Sequence, residues 1–168
     1  MPILLDGKNL AAQIRQELRE SISGKKSPGL AVILVGEDPS SLIYVKNKAK
    51  AAEEIGIRYE YHHLEKNSSP AQILSLIENL NQKPEINGIL IQQPLPPHLD
   101  PEILINQVLA IKDVDGIGKI NNGALWQNSQ QEHLFAATPS GIIRLLKEYQ
   151  INLKGLKALV IGRSNIVG

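Results

Sequence analysis

Apolar and polar positions along the chain follow helix-like and strand-like periods in turn. Apolar residues recur at every fourth position over residues 10–22, which predicts an amphipathic helix with one buried stripe. Continuous apolar runs at 30–35 and 88–91 predict strands that are buried on both faces, as in parallel sheets. Residues 57–64 alternate between apolar and polar, which predicts a further strand.

Helix-start signals separate these strands. A capping residue followed by proline is typical of a helix N-terminus. The pair occurs at 38–39, 69–70, 100–101 and 138–139. Gly56 should end the first of these helices and the last should run to about Tyr149. Residues 121–132 are polar and are expected to be irregular, with Trp126 packed against the domain.

The alternation of strands and helices predicts an α/β fold: a layered domain with a largely parallel sheet, which we place at residues 1–150. Ligands of such domains bind at the carboxyl ends of the strands. A strand predicted at 157–161 leads into a glycine turn at 162–168. This is similar to the start of a dinucleotide-binding fold. We therefore interpret 151–168 as the first strand and turn of a Rossmann-like NAD(P)-binding domain that is truncated.

Charge and composition narrow the partner class. Eighteen Lys and Arg balance 17 Asp and Glu, leaving a formal net charge of +1. A chain with this balance has no strong overall positive potential to attract nucleic acid or an anionic membrane, so a small molecule is the expected partner. The absence of Cys excludes disulfides and thiolate chemistry, and the chain start lacks a basic, then apolar, secretory pattern. We expect a cytoplasmic protein.

Two segments place polar side chains at the expected ligand edge. Tyr44 and Lys48 are four residues apart and share one face of the second predicted helix. Burial could shift a lysine there toward its neutral form and let it transfer protons, although spacing alone favours a solvated helix face. Gln92 and Gln93 directly follow a predicted strand, and the prolines after them could simply end it.

A third segment, residues 112–116, carries the carboxylates Asp113 and Asp115 ahead of a glycine. Without further information a turn is favoured over a ligand site. A calcium loop is excluded, because Ile117 occupies a position that needs an oxygen ligand. No metal site is predicted either, since the adjacent His62 and His63 would point to opposite faces of a strand.

Five ordered segments together are more specific than any one of them. They lie at 35–56, 88–96, 112–116, 138–141 and 162–168. In this order they resemble the N-terminal portion of the bifunctional methylenetetrahydrofolate dehydrogenase/methenyltetrahydrofolate cyclohydrolase family. The resemblance implies oxidation of 5,10-methylenetetrahydrofolate with NADP, NAD being less favoured, and hydrolysis of the product to 10-formyltetrahydrofolate. It also implies tetrahydrofolate derivatives as ligands and a homodimer.

The resemblance assigns roles on the folate side of a cleft between two domains. Tyr44 would pack on the aminobenzoyl ring, Lys48 would be the central acid/base and Gln92 would hold Lys48. Asp115 would bind the amide and amino edge of the pterin. The neighbouring positions Ile91 and Gln93 would contact the substrate, with Gln93 standing where the family usually has Leu.

On the cofactor side, Gly162, Arg163 and Ser164 would contact the phosphates of NADP. Since only the start of that domain is recognised, we expect this chain to lack the dehydrogenase step. Two alternatives stay open. One is another two-domain dehydrogenase of the shikimate dehydrogenase type, and the other is a folate-binding fragment without activity.

Overall fold

A three-stranded parallel sheet forms the centre of the fold. The computed structural model describes residues 4–130, 132–164 and 166–167. The strands are β1 (Gly29–Val35), β2 (Arg58–Leu64) and β3 (Gly88–Ile91), in the order β2-β1-β3. Val32 of the central strand pairs with Tyr61 on one side and Leu90 on the other. The α/β class, the parallel sheet and all three strands predicted between residues 30 and 91 are confirmed.

Six helices and one 3-10 turn surround the sheet within the described ranges. They are α1 (Gly7–Ile22), α2 (Pro39–Ile55), α3 (Pro70–Gln82), α4 (Pro101–Ile105), the 3-10 turn (Ala110–Lys112), α5 (Lys119–Trp126) and α6 (Ala137–Glu148). Among the described residues, none of the helices combines the length and the apolar character that crossing a membrane requires.

Local capping explains where α2 begins and ends and where α3 begins. Asp38 accepts a hydrogen bond from the backbone N–H of Ser41, and Pro39 opens α2. Gly56 ends this helix with φ +84°, a left-handed conformation that glycine adopts without steric cost. Ser69 and Gln72 form a reciprocal capping box at the start of α3. These boundaries are confirmed because the signals that set them are local.

The alternation of side chains along β1 divides the core into two layers. On one face, the buried cluster against α3 and α4 comprises Ala31, Ile33, Val35, Ile73, Ile77, Leu80, Ile86, Ile89, Ile91, Leu99, Leu104 and Val108. On the other face, Val32, Leu34 and Leu90 pack against Val45 of α2. The sheet is thus covered on both sides, and its strands end at an edge between the helical layers.

Helix α1 only partly fulfils the predicted buried stripe. Leu10 is buried, Ile14 and Ile22 are half-buried, and Leu18 is 42% exposed. The helix lies outside the two layers, against α2 and α6, with ion pairs from Arg15 to Glu54 and from Glu17 to Arg144. The apolar period is confirmed, but Leu10 is the one residue of the stripe that is buried.

The predictions for residues 121–139 need three corrections. Residues 121–126 are helical rather than irregular, since they belong to α5. Trp126 is 91% exposed rather than packed. Helix α6 begins at Ala137, so Thr138 is not its cap. Proline fits here because the first backbone N–H groups of any helix lack an intrahelical acceptor, and Pro139 has none to leave unsatisfied.

The strand predicted at residues 157–161 is absent from the structure, in which these residues have no regular secondary structure. Leu159 is 86% exposed and Ile161 is 93% exposed. A strand needs a neighbour for its backbone hydrogen bonds, and no described strand lies beside this segment. Sequence preference alone therefore does not produce a strand at this position.

Candidate active site

The site lies where β1 and β3 end, between α2 and the segment that follows the 3-10 turn. Lys48 lies in the third turn of α2, and Gln92 is the first residue after β3. The Lys48 Nζ donates a hydrogen bond of 2.8 Å to Oε1 of Gln92, across 44 residues of sequence. Lys48 is half-buried and Gln92 is buried, whereas the neighbouring Lys46 and Lys50 are exposed. The structure thus distinguishes Lys48 from the solvated helix face that its spacing also allowed.

The amide of Gln92 is held from its other end. Its Nε2 donates to the backbone carbonyl of Gln93 at 2.7 Å, so that Oε1 is the atom presented to the lysine. The buried Ser41 hydroxyl donates to the same carbonyl at 3.2 Å. A neutral amide oxygen can accept from either the ammonium or the free amine of Lys48, so the contact positions the nitrogen without fixing its charge.

Asp115 is the charged partner on the opposite wall. Burial raises the pKa of Asp115, the Lys48 ammonium opposes that shift and Asp113 adds to it. Burial likewise lowers the pKa of Lys48, and the Asp115 carboxylate opposes the change. Each group is therefore moved toward its neutral form by desolvation and back toward its charged form by the other.

A cavity of about 200 Å³ connects these groups. Its lining includes Lys48, Ile91, Gln92, Gln93, Asp115 and Thr138. A broader apolar groove of about 1590 Å³ between α4, α5 and α6 shares Gln93, Ile117 and Ile166 with it but does not include Lys48 or Asp115. We place the chemistry in the smaller cavity, because that is where the titratable groups with shifted pKa values meet.

The remaining sequence-predicted folate residues fall at or near this cavity. Ile91 is buried in its wall, whereas Tyr44 is 59% exposed on α2, one turn before Lys48, and is not among the lining residues. The lining is completed by residues that the sequence did not assign to the pocket, namely Leu90, Ile117, Ala137, Thr138 and Ile166. The segment at 138–141 had been noted only as a motif, so its position opposite Lys48 was not foreseen.

Asp113, the second carboxylate of its segment, does not line the cavity. It is 5% exposed and accepts hydrogen bonds from the backbone N–H groups of Gly116 and Gly118, at 3.1 and 2.8 Å. Asp113 therefore has the structural role in a turn that the sequence favoured for residues 112–116. Asp115 is the residue of the pair that faces the site.

The three predicted phosphate contacts do not converge on a site in the described residues. Gly162, Arg163 and Ser164 are exposed, and a Cβ built on Gly162 would meet no atom within 4 Å. The Ser164 hydroxyl accepts from the backbone N–H of Val167 at 3.1 Å. A dinucleotide cradle needs a strand, a turn and a helix N-terminus aimed at the phosphates. The residues present do not form this arrangement, so no catalytic step is derived through the cofactor.

Comparison with known proteins agrees with this geometry. The model of the tetrahydrofolate dehydrogenase/cyclohydrolase catalytic domain matches residues 5–115. The chain belongs to the tetrahydrofolate dehydrogenase/cyclohydrolase family. The NAD(P)-binding domain of the same family matches residues 136–168. Lys48, Gln92 and Asp115 all fall within the catalytic-domain match.

Individual members of the tetrahydrofolate dehydrogenase/cyclohydrolase family are similar along nearly the whole chain. The bifunctional protein FolD of Moorella thermoacetica is 47% identical over 98% of this chain and 60% of its own length. The crystal structure of FolD from Campylobacter jejuni aligns with a TM-score of 0.94 and 44% identity over 99% of this chain and 60% of that one. The Trypanosoma brucei FolD, complexed with NADP cofactor and inhibitor, aligns with a TM-score of 0.92 and 29% identity, covering 100% of this chain and 59% of that one. The chain thus spans about 60% of the length of the curated relatives it matches.

Proposed function

We propose that this chain carries the folate site of a methylenetetrahydrofolate dehydrogenase/methenyltetrahydrofolate cyclohydrolase, with Lys48 as its acid/base. The observation that supports this most directly is the hydrogen bond from Lys48 to Gln92 inside a cavity that also contains Asp115. The family match and the FolD relatives support the same assignment. Nothing in these matches favours a dehydrogenase of the shikimate type.

In the proposed hydrolysis, the residues of this chain bind the folate and move one proton. Asp115 accepts hydrogen bonds from the amide and amino edge of the pterin, and Tyr44 packs on the aminobenzoyl ring, with Ile91 and Gln93 against the substrate. This placement puts the one-carbon bridge near the Lys48 amine. Because burial lowers the pKa of Lys48, the neutral amine is more accessible than in a solvated lysine.

The proton balance of the proposed reaction closes without a cofactor. Water adds to the bridge carbon of the methenyl cation as the Lys48 amine takes one of its protons, giving a neutral hydroxyl adduct. The Lys48 ammonium then protonates the ring nitrogen N5 as the bond from N5 to the bridge carbon breaks. The adduct hydroxyl loses its proton to solvent and becomes the formyl carbonyl on N10. Gln92 keeps the lysine nitrogen in place throughout.

The oxidation step is proposed only for the whole protein, with NADP as the cofactor. The match of residues 136–168 to the NAD(P)-binding domain supports this, as does the NADP complex of the Trypanosoma brucei relative. Contacts from Gly162, Arg163 and Ser164 to the cofactor phosphates stay a prediction. So do the division at residue 150, the loss of the dehydrogenase step in this chain, the homodimer and the cytoplasmic location.

The test replaces the proton-transfer group and keeps its apolar stem. We expect Lys48→Met to lower the cyclohydrolase rate by about a hundredfold to ten-thousandfold, the range typical for removal of a general acid/base. The matched control is Lys46→Met on an exposed position of the same helix. Hydrolysis of 5,10-methenyltetrahydrofolate is followed by its absorbance, and circular dichroism verifies the fold. An unchanged rate in Lys48→Met would remove Lys48 from the mechanism.

A further inference from the structure

We propose that Asp113 and Asn121 are positioning residues that hold Asp115 and the opposite wall of the cavity in register. The proposal rests on the proposed function, in which Asp115 is the folate ligand. Both side chains are polar and buried, and neither one contacts Lys48 or lines the cavity. Three sets of contacts connect these residues to the cavity.

First, Asp113 fixes the loop on the C-terminal side of Asp115. Its Oδ1 accepts from the N–H of Gly116, and its Oδ2 accepts from the N–H of Gly118. The residue directly after Asp115 is thus tied to a carboxylate that is 5% exposed. Loss of these donors would leave buried acceptor atoms without hydrogen-bond partners, which is costly. Asp115 therefore lies on a loop whose backbone has little freedom to move.

Second, Asn121 joins that loop to the chain on the far side of the cavity. It is 2% exposed, and its Nδ2 donates 3.0 Å hydrogen bonds to Oδ2 of Asp113 and to the carbonyl of Ala110. Its Oδ1 accepts from the N–H of Leu134 at 3.1 Å. Leu134 lies three residues before α6, whose first residue, Ala137, lines the cavity. One amide therefore bonds to the segments that lead into both walls.

Third, the two walls touch backbone to backbone. A Cβ built on Gly116 would lie 2.4 Å from the carbonyl carbon of Phe135 and 2.7 Å from the nitrogen of Ala136. Gly116 also has φ +63°, which disfavours any larger residue. Because backbone meets backbone at this point, no side chain can rearrange to accommodate a shift of the Asp115 loop. Such a shift would therefore displace the start of α6.

The experiment is a double-mutant cycle on the binding of 5-formyltetrahydrofolate, measured by calorimetry on the 168-residue chain. Asp113→Asn places an amide N–H₂ opposite a backbone N–H, so that two donors face each other where a hydrogen bond is now made. We expect this change to weaken binding about tenfold or more. In an Asp115→Ala background the same change should alter binding by less than about twofold, because coupled residues are not additive. Asp100→Asn is the matched control, since Asp100 also accepts from two backbone N–H groups but caps α4.

A loss of affinity of the same factor in both backgrounds would overturn the proposal, because a general loosening of the fold acts whether or not Asp115 is present. If Asp115→Ala itself binds 5-formyltetrahydrofolate as the wild type does, the proposed function is wrong about Asp115. Should Asp113→Asn fail to fold, Asn121→Ala takes its place in the cycle, since it leaves both glycine contacts of Asp113 intact.

A second measurement needs no folate. Amide hydrogen exchange should show Gly116 and Gly118 protected in the wild-type chain and fast in Asp113→Asn. Exchange of these two amides at the rate of an unprotected peptide in the wild type would contradict the anchor directly.

Discussion

Lys48 and Asp115 show how burial and charge oppose each other within a single site. Desolvation lowers the pKa of the amine and raises the pKa of the carboxyl, while their mutual attraction acts against both changes. This balance suits the proton transfer proposed for Lys48, because the pKa of each group is subject to opposing effects. The same desolvation of Asp115 lowers the stability of the fold.

We expect Asp115→Asn to stabilise the chain at neutral pH while weakening folate binding. Because the pKa of Asp115 is raised above 3.8 in the fold, the unfolded chain loses this proton first as the pH rises. Stability therefore falls through the window between 3.8 and the raised pKa, and the full penalty is present above it. Asparagine does not titrate and escapes that penalty.

Urea unfolding of both chains between about pH 4 and about pH 7 measures the effect through the linkage between protonation and stability. The advantage of Asp115→Asn in the free energy of unfolding should grow with pH. An advantage that is independent of pH would mean that desolvation of the carboxylate is not its source.

For the two carboxylates of residues 112–116, residue type and spacing do not indicate which one lies in the site. Asp113 and Asp115 have the same chemistry and stand two positions apart, so the sequence alone ranks them equally. The resemblance favours Asp115, but the reason lies in the fold: Asn121 and two glycine amides engage Asp113 and leave Asp115 facing the cavity. Likewise, Lys48 and Gln92 are 44 positions apart, so residue patterns alone do not indicate their contact, although the family resemblance does.

At the scale of elements, predictions succeeded where the deciding contacts are local. The ends of α2 depend on Asp38 and Gly56, both adjacent in sequence to the helix they limit. Helix α5 was missed because Asn121, a polar residue that lowers helix preference, is buried there and satisfied by tertiary partners. Its amphipathic pattern is therefore inverted, and periodicity does not detect such a helix.

We expect Ser69→Ala to lower the free energy of unfolding by about 1 kcal/mol, the usual cost of removing an N-cap. The capping box that Ser69 forms with Gln72 would lose its hydroxyl acceptor for the backbone N–H of Gln72. Ser75→Ala, at an exposed position inside α3, is the control and should be neutral or slightly stabilising. Chemical denaturation measures both. Equal effects of the two changes would show that the cap contributes nothing.

For the molecule as a whole, α6 is assigned by sequence to one domain but contacts a helix that lies outside that match. It lies inside residues 136–168, which match the NAD(P)-binding domain of the family. Yet Arg144 of α6 pairs with Glu17 of α1, and the Tyr149 hydroxyl accepts from the backbone N–H of Asp6 at 2.9 Å. Helix α6 therefore contacts residues of the catalytic-domain match while it belongs by sequence to the NAD(P)-binding match.

Residues 157–161 have a consequence for the behaviour of the chain in concentrated solution. Leu159 and Ile161 are 86% and 93% exposed, and the segment has strand-forming residues without a strand beside it. Short apolar segments of this kind pair between chains and seed aggregates. We expect Ile161→Lys to raise the concentration at which the 168-residue chain begins to scatter light, because a charge opposes such pairing.

The matched control for colloidal stability is Ile120→Lys. Ile120 is 71% exposed, but its backbone is helical rather than extended and so is not shaped to pair as a strand. Dynamic light scattering should therefore separate the two variants, with Ile161→Lys remaining monodisperse at higher concentration than Ile120→Lys. If both lysines improve solubility equally, surface hydrophobicity in general limits it, and the unpaired segment plays no special part.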